Sequence, residues 1–390
     1  MISKDTQREI WLDWTRVIAC FMVMIVHSTE PFYLGGDGAL ILTKAEAYWA
    51  AFFDSIVRSC VPLFVVMSSY LQFPLRYTTA QFFRRRAVRV IIPFLIWTVI
   101  YALVWGEPVQ NFKDLLLNFN YSAGHLWYVY MLLGLYLLMP LLSPWAERVG
   151  KKELKFYLAI WIFTTIIPLV RDWTGGEPDV VCGVSGLPRQ ALWPLWGEAS
   201  WNSYGLFYYF SGFIGYMLLG LYIRKFVDVL SWKKTLLISV PCFAGGFAVS
   251  FIGFIRRAFI ISNGEFPISD VLQKAVWLET TWCNDTIGVA LMTIGSILLL
   301  QKISCGGKIY TAVIQPISKA SYGMYLSHLL VLATVCGFVR EYFGVGVDAS
   351  LGVWTAFVEI MLSAIVSFVI VAILSILIQR IPKIGKFVIG

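Results

Sequence analysis

The chain has 390 residues, of which 58% are hydrophobic, 16% aromatic and only 14% charged. A soluble globular chain carries about a quarter charged residues, and disordered, collagen-like or coiled-coil chains need polar or repetitive sequence, so all these classes are excluded. What remains is an all-α polytopic membrane protein, in which the net charge of +8 reads as cytoplasmic loop charge and not as a nucleic-acid surface.

Ten apolar stretches long enough to cross about 30 Å of hydrocarbon follow one another: 10–31, 48–73, 88–105, 124–144, 154–171, 203–223, 235–259, 282–300, 321–340 and 351–378. The breaks are short, and no soluble domain, low-complexity tract or fixed-period repeat interrupts them, so residues 1–390 read as one membrane domain. With both termini in the cytoplasm, 21 Lys and Arg fall on the inner side and eight on the outer, while Arg16 and Arg58 lie within stretches. That alternation is the positive-inside pattern for ten crossings. The two longest outer breaks, 172–202 and 260–281, collect acids such as Asp172, Glu177, Glu265, Asp270 and Glu279.

In the first stretch, Lys4 and Arg8 precede the uncharged run Val17 to Val26, as in a signal peptide. No small-residue cleavage site follows, and Asp13, Arg16 and His27 punctuate the run, so it reads as a retained helix. Arg16 and His27 are eleven residues apart, about 16 Å and within roughly 20° of three full turns, and therefore share one helix face at opposite depths. Asp13 precedes Arg16 by three residues and Glu30 follows His27 by three, which pairs each with a carboxylate. Ionisable groups in a membrane face a cavity, a partner or a pathway. For Arg16, helix anchoring and function both stay open; His27, with an acid one turn away, points to function.

Arg84, Arg85, Arg86 and Arg89 stand just before the third stretch. Helical spacing of i,i+4 for Arg85 and Arg89, and i,i+3 for Arg86 and Arg89, predicts one face presenting two guanidiniums to a phosphate. Topology charge and lipid head-group binding are the alternatives. His125 opens the fourth stretch as His-Leu-Trp-Tyr, the pattern of an interfacial belt. In the ninth, Tyr325 and His328 lie i,i+3 on one face, the spacing of a polar pair that packs helices together. Three His in three stretches, without Asp, Glu or Cys at ligand spacing, imply no metal site. No phosphate-binding loop, nucleophile elbow or dinucleotide fingerprint is present. The seven cysteines show no C-x-x-C spacing; Cys182 and Cys283 share the outer side, where a disulfide and two free thiols are equally open.

With these residues in place, the chain resembles the acyltransferase 3 family of integral membrane acyltransferases. Trp11-Leu-Asp-Trp-Thr-Arg16 through His27 is similar to the family's opening Arg-x10-His segment, and Arg86-Ala-Val-Arg89 to its RxxR element. Val61-Pro-Leu-Phe-Val-Val-Met-Ser68-Ser69-Tyr resembles the second-helix pattern, with Ser69 where Gly is usual. His125-Leu-Trp-Tyr with Tyr136-Leu-Leu-Met-Pro140, and Ser321-Tyr-Gly-Met-Tyr-Leu-Ser-His328, follow in the family order, and the likeness runs from about residue 8 to 380. The resemblance implies transfer of an acyl group, usually acetyl from acetyl-CoA, to a hydroxyl of an extracytoplasmic glycan or lipid-linked saccharide. It carries His27 over as catalytic base, Arg16 as support for the site, and Arg86 and Arg89, with Arg85 beside them, as CoA contacts. The His-Leu-Trp element and Phe207-Tyr-Tyr look most like members that O-acetylate envelope or surface polysaccharides, in the plasma membrane.

The residue chemistry agrees. A sugar hydroxyl is a poor nucleophile at neutral pH, and histidine suits removal of its proton. Glu30 would orient the imidazole as the carboxylate of a triad does. Direct transfer comes first, with an acyl-imidazole on His27 as the second route; Tyr325, His125 and His328 are the candidates for contacting substrate or oxyanion. CoA bound from the cytoplasm would send only its thioester arm through the protein, along polar lining on the face between Arg16 and His27. The competing reading is a proton-coupled secondary transporter using His27, Glu30, His328 and Arg16 as a path, and a lipid-binding or scaffold protein is the third.

Overall fold

A chain segment surrounded by lipid must pair its own backbone polar groups, which turns long apolar runs into helices. The computed structural model describes residues 9–34, 41–105, 121–173, 204–227, 230–268 and 275–390, with residues 109 and 197. Its main helices are α1 (Ile10–Thr29), α2 (Lys44–Val57), α3 (Cys60–Gln72), α4 (Thr79–Arg86), α5 (Ile92–Val104), α6 (Trp127–Arg148) and α7 (Lys151–Trp173). They continue with α8 (Phe213–Phe226), α9 (Trp232–Ser262), α10 (Ile287–Leu300), α11 (Gln315–Phe343), α12 (Thr355–Gln379) and the short α13 (Gly385–Val388). No strand occurs among the described residues beyond the single bridge between Ile41 and Ile268. The all-α membrane architecture is as the sequence predicts.

Nine helical stretches among the described residues are long and apolar enough to cross a membrane, one fewer than the ten expected. The sixth stretch makes the difference. It forms α8 of only 14 residues, about 21 Å long, preceded by a 3-10 segment over Gly205–Phe210. Gly212, at the break, accepts a hydrogen bond from Trp161 Nε1 in the middle of α7 at 3.0 Å. The second stretch is also broken, into α2 and α3 at Arg58 and Ser59. The eighth opens with a buried 3-10 turn, Glu279–Trp282.

Contacts at the helix ends show which ends share a side. Arg224, near the end of α8, donates to the carbonyls of Tyr70 and Leu71 at the end of α3, at 3.0 and 3.3 Å. Lys225 reaches the carbonyls of Ala146, Glu147 and Val149 that finish α6, at 2.8 to 3.0 Å. Cations there satisfy carbonyls that the helices leave unpaired. Tyr70 also donates to Glu9, just before α1, at 2.9 Å, and Lys302 beyond α10 caps the carbonyl of Leu230 before α9. At the opposite side, Arg340 near the end of α11 donates to Pro31 beyond α1, at 2.7 Å. Trp49 in α2 donates to Val353 before α12, at 2.8 Å. These pairings follow the alternation expected for ten stretches, with α8 ending on the same side as α3 and α6.

Helix α1 lies centrally, against α2, α3, α11 and α12. The departure at Ser69 from the usual glycine is accommodated by the facing helix. Ser69 Oγ donates to Met217 at 2.6 Å, and a Cβ on Gly220 of α8 would stand 2.5 Å from the Val66 carbonyl and 2.8 Å from Ser69 Cβ. The small residue that close helix approach requires is therefore Gly220.

Candidate active site

The start of α1 is fastened by its aspartate. Asp13 is buried and accepts from Tyr310 Oη at 2.6 Å, Ser318 Oγ at 2.6 Å and Arg16 Nη1 at 3.1 Å. Both hydroxyls come from the segment leading into and starting α11, where residues Tyr310–Ile314 form a π turn. Arg16 is thereby anchored and also lines a cavity of about 340 Å3. Of the two roles open for Arg16, the contact with Asp13 supplies the anchoring, and Arg16 also stands at the cavity wall.

The cavity extends along α1 from Arg16 to Glu30, a rise of about 21 Å. At its far end His27 Nδ1 is 2.7 Å from Glu30 Oε1. An ionised carboxylate only accepts, so Nδ1 carries the proton, and a neutral His27 then presents its Nε2 lone pair to a substrate. His125 and Tyr325 also line the cavity, and His328 packs between the other two imidazoles. Its ring centroid is 4.9 Å from that of His27 and 5.0 Å from that of His125. Three histidines from three stretches thus meet in one place. Among the described residues, no group of three or more His, Cys, Asp or Glu side chains is arranged to hold a metal ion.

The surroundings separate the three candidates for oxyanion contact. Tyr325 Oη donates to the His125 carbonyl at 2.6 Å, so its proton is already engaged. His328 Nδ1 is 2.5 Å from the Tyr325 carbonyl, which can only accept; a neutral His328 then carries its proton there and presents a lone pair at Nε2. Neither ring nitrogen of buried His125 makes a hydrogen bond of ordinary geometry, although the Leu326 carbonyl lies near its ring, so of the three His125 has the least committed N–H. The expected interfacial belt position for His125 is corrected: the 3-10 entry Tyr121–Leu126 turns the ring inward, where it meets Tyr101 edge-on at 4.9 Å.

Two further expectations are corrected. Between Arg16 and His27, α1 contributes Val23 and Val26 to the wall, with Val61 and Phe64 of α3 and Leu132 of α6 beside them. Polar lining at that depth comes instead from Ser321, Tyr322 and Tyr325 on α11 and Tyr128 on α6. The arginines before the third stretch do not present one common face. Residues Ala87–Ile91 widen into a π turn, which breaks the α-helical spacing on which that expectation rests. Arg85 lies over Tyr77, with its Cζ 3.8 Å from the ring centroid, whereas Arg86 sits 5.5 Å from Phe82 and 5.4 Å from Tyr136. Arg85, Arg86 and the exposed Arg89 are outside the cavity lining. Tyr322 joins the two regions: it lines the cavity and donates to the Val90 carbonyl of the π turn at 2.9 Å.

The sequence reading missed a second charged group beside His27. Asp54, fully buried, is bonded through both oxygens by Arg58 and accepts from Thr29 Oγ1 at 2.7 Å. Arg58 Nη2 also reaches Tyr33 Oη at 3.2 Å and Glu279 Oε1 at 3.5 Å, and Tyr33 Oη is 3.0 Å from the same Glu279 oxygen. Trp282 lies under the guanidinium at 4.7 Å and stacks on Phe254 at 4.1 Å. Arg58 and Glu279 line the cavity with Glu30. The available signal was Asp54 and Arg58 at i,i+4 inside an apolar stretch, the same intramembrane rule that singles out His27. Cys182, for which a disulfide with Cys283 and a free thiol are equally open from the sequence, falls outside the described residues.

A family model described as an acyltransferase domain, that of the acyltransferase 3 family, matches residues 9–378. No curated protein and no solved structure matches the chain.

Proposed function

The chain belongs to the acyltransferase 3 family and is a multi-pass membrane acyltransferase; from that premise we propose that it moves acetyl from cytoplasmic acetyl-CoA to a hydroxyl of an extracytoplasmic glycan or lipid-linked saccharide. The observation that carries the reading is one cavity holding Arg16 at one end and the His27–Glu30 pair at the other. Both termini and the Arg84–Arg89 segment are placed in the cytoplasm by the positive-inside count, in the plasma membrane. The Arg16 end then opens toward the CoA pool, and His27 lies near the outer face.

In this mechanism the acceptor hydroxyl hydrogen-bonds to His27 Nε2. The imidazole takes its proton as the oxygen attacks the thioester carbonyl, and Glu30 stabilises the imidazolium across the 2.7 Å contact. The new C–O bond forms, the C–S bond breaks, and the proton passes from His27 to the departing CoA thiolate. The N–H of His125 is the donor best placed for the oxyanion, since Tyr325 and His328 are committed to backbone carbonyls. An acyl-imidazole on His27 remains the second route, ending in the same products. Arg86 and Arg89 hold CoA phosphates at the inner side, with Arg85 adjacent. The π turn connects them to the cavity wall through Tyr322.

Sealed vesicles of known orientation test the sidedness. Acetyl-CoA supplied only to the cytoplasmic face should support acetylation of acceptor confined to the other face. Acetylation only when both substrates share the cytoplasmic side would overturn the transmembrane route. No acetyl transfer in any arrangement would overturn the assignment of donor and acceptor.

A further inference from the structure

Beside the main cavity lies a second, far smaller hollow. Among the described residues its lining is Cys20, Val23, Met24, Phe64 and Tyr325, and Val23, Phe64 and Tyr325 line the main cavity as well. Its volume is about 10 Å3, room for one small group such as a methyl. The polar atoms of its wall are engaged elsewhere. Cys20 Sγ donates to the Ser321 carbonyl at 3.9 Å and Tyr325 Oη to the His125 carbonyl at 2.6 Å. What faces the hollow is therefore apolar, and it offers a water molecule no partners. Val23 and Cys20 precede His27 by four and seven residues, about one and two turns toward Arg16 on the same face of α1. Tyr325 joins the hollow to the histidines, its ring 6.0 Å from that of His125 and 5.9 Å from that of His328.

We propose that this hollow is the acyl pocket: it takes the methyl group of the donor's acetyl, and its walls exclude butyryl and longer chains. The inference rests on the acyltransfer reading above and adds to it what sets the chain length. When the thioester carbonyl stands at His27, its sulfur arm runs back toward Arg16 and its oxygen faces the oxyanion donor. The acyl tail must leave that line, and the hollow lies to the side of the cavity within two turns of the base. An apolar wall receives a methyl without leaving any polar atom unpaired. A longer chain meets Cys20 and Met24, which are 3% and 1% exposed and so have no free space to move into. Forcing extra methylenes into such packing displaces side chains from their preferred rotamers. The bonds made and broken remain those of the transfer itself; the hollow holds the methyl while the C–O bond forms and the C–S bond breaks.

The test uses membrane vesicles with the cytoplasmic face outward, from cells with and without the full-length protein, so that the envelope supplies the acceptor. Radiolabelled acetyl-, propionyl-, butyryl- and hexanoyl-CoA are offered in turn, and label in the glycan and lipid-linked fraction is counted. Wild-type transfer should fall by about tenfold or more from acetyl to butyryl, as rejection by a hydrophobic pocket allows. Met24→Ala, which lengthens the hollow, should raise the butyryl-to-acetyl ratio by about tenfold. Cys20→Ala, a smaller excision that the fold tolerates more easily, should raise the propionyl-to-acetyl ratio. A variant that only loosened the fold would lower transfer from every donor alike and leave both ratios in place. Equal use of acetyl and butyryl by the wild type, transfer from longer donors without acetyl, or ratios unmoved in either variant would each overturn the pocket. Transfer from any of the donors above the vesicles that lack the protein keeps the acyltransferase reading standing when the pocket fails. No transfer from any of them overturns both.

Discussion

The two ends of the cavity are built on the same device, an arginine one helical turn from a buried aspartate. At one end Asp13 holds Arg16; at the other Asp54 holds Arg58. At the Arg16 end the carboxylate also accepts from the Tyr310 and Ser318 hydroxyls. At the His27 end Glu30 and Glu279 are added, and His27 presents a free ring nitrogen to the cavity. An intramembrane ion pair is thus a fastening at one end and a neighbour of the proposed base, His27, at the other. What separates the two is the histidine and the carboxylates that share the cavity wall with Arg58.

The sharpest way to break the comparison is His27→Ala. It removes the proposed base and no large packing group, so transfer should fall by about 10²–10⁴-fold while the protein stays in the membrane, as measured by labelled acetyl transfer and quantified membrane protein. Transfer near the wild-type rate would move the base to His125 or His328. Next is Arg58→Ala, which strands the buried Asp54 without its cation. Loss of one partner of such a pair costs about 3–5 kcal/mol, read by unfolding of the purified protein. Arg16→Ala should cost less, because Arg16 is 26% exposed and Asp13 keeps two hydroxyl partners; equal losses would mean that the two ends are built alike.

Smaller effects sharpen the picture at the Arg16 side. Arg86→Ala and Arg89→Ala should each weaken acetyl-CoA binding by about 1.5–3 kcal/mol, the range for hydrogen bonds to charged groups, with Lys restoring only part. Isothermal titration measures this, and unchanged affinity in the double variant would return the cluster to topology charge. Ser318→Ala, which removes one hydroxyl from Asp13, should lower stability by about 1.5 kcal/mol in the same unfolding measurement. A collapse of the fold would show that Ser318 is more than one of three partners.

The fold and half of the site are legible in the sequence. Hydropathy finds the helices because lipid leaves the backbone no alternative, and helical period places Arg16 and His27 on one face without knowledge of any neighbour. Glu279 is illegible by either rule. It lies in a stretch that reads as an outer loop, yet residues Glu279–Trp282 form a buried 3-10 turn, a conformation allowed at depth only where protein or a cavity surrounds it. The arginines mislead for a related reason: pairing Arg85 or Arg86 with Arg89 assumes α-helical spacing, and the π turn beginning at Ala87 alters it. His125 reads as a belt residue because a window of sequence cannot show that Tyr101 and His328 wait inside.

The absence of charged groups from the described middle of the cavity has a consequence for the membrane as an energy store. Any passage that joins the two faces of a charged membrane threatens to short-circuit its proton gradient. Here Val23, Val26, Val61, Phe64 and Leu132 supply an apolar part of the wall between the ionisable groups at either end, beside the uncharged hydroxyls of Ser321, Tyr322, Tyr325 and Tyr128. A hydrated ion entering that stretch loses the water that stabilises it, whereas a neutral thioester arm with amide and methylene groups loses far less. On the proposed route, a wall without charged groups between the two ends would favour a slender neutral chain over a hydrated ion.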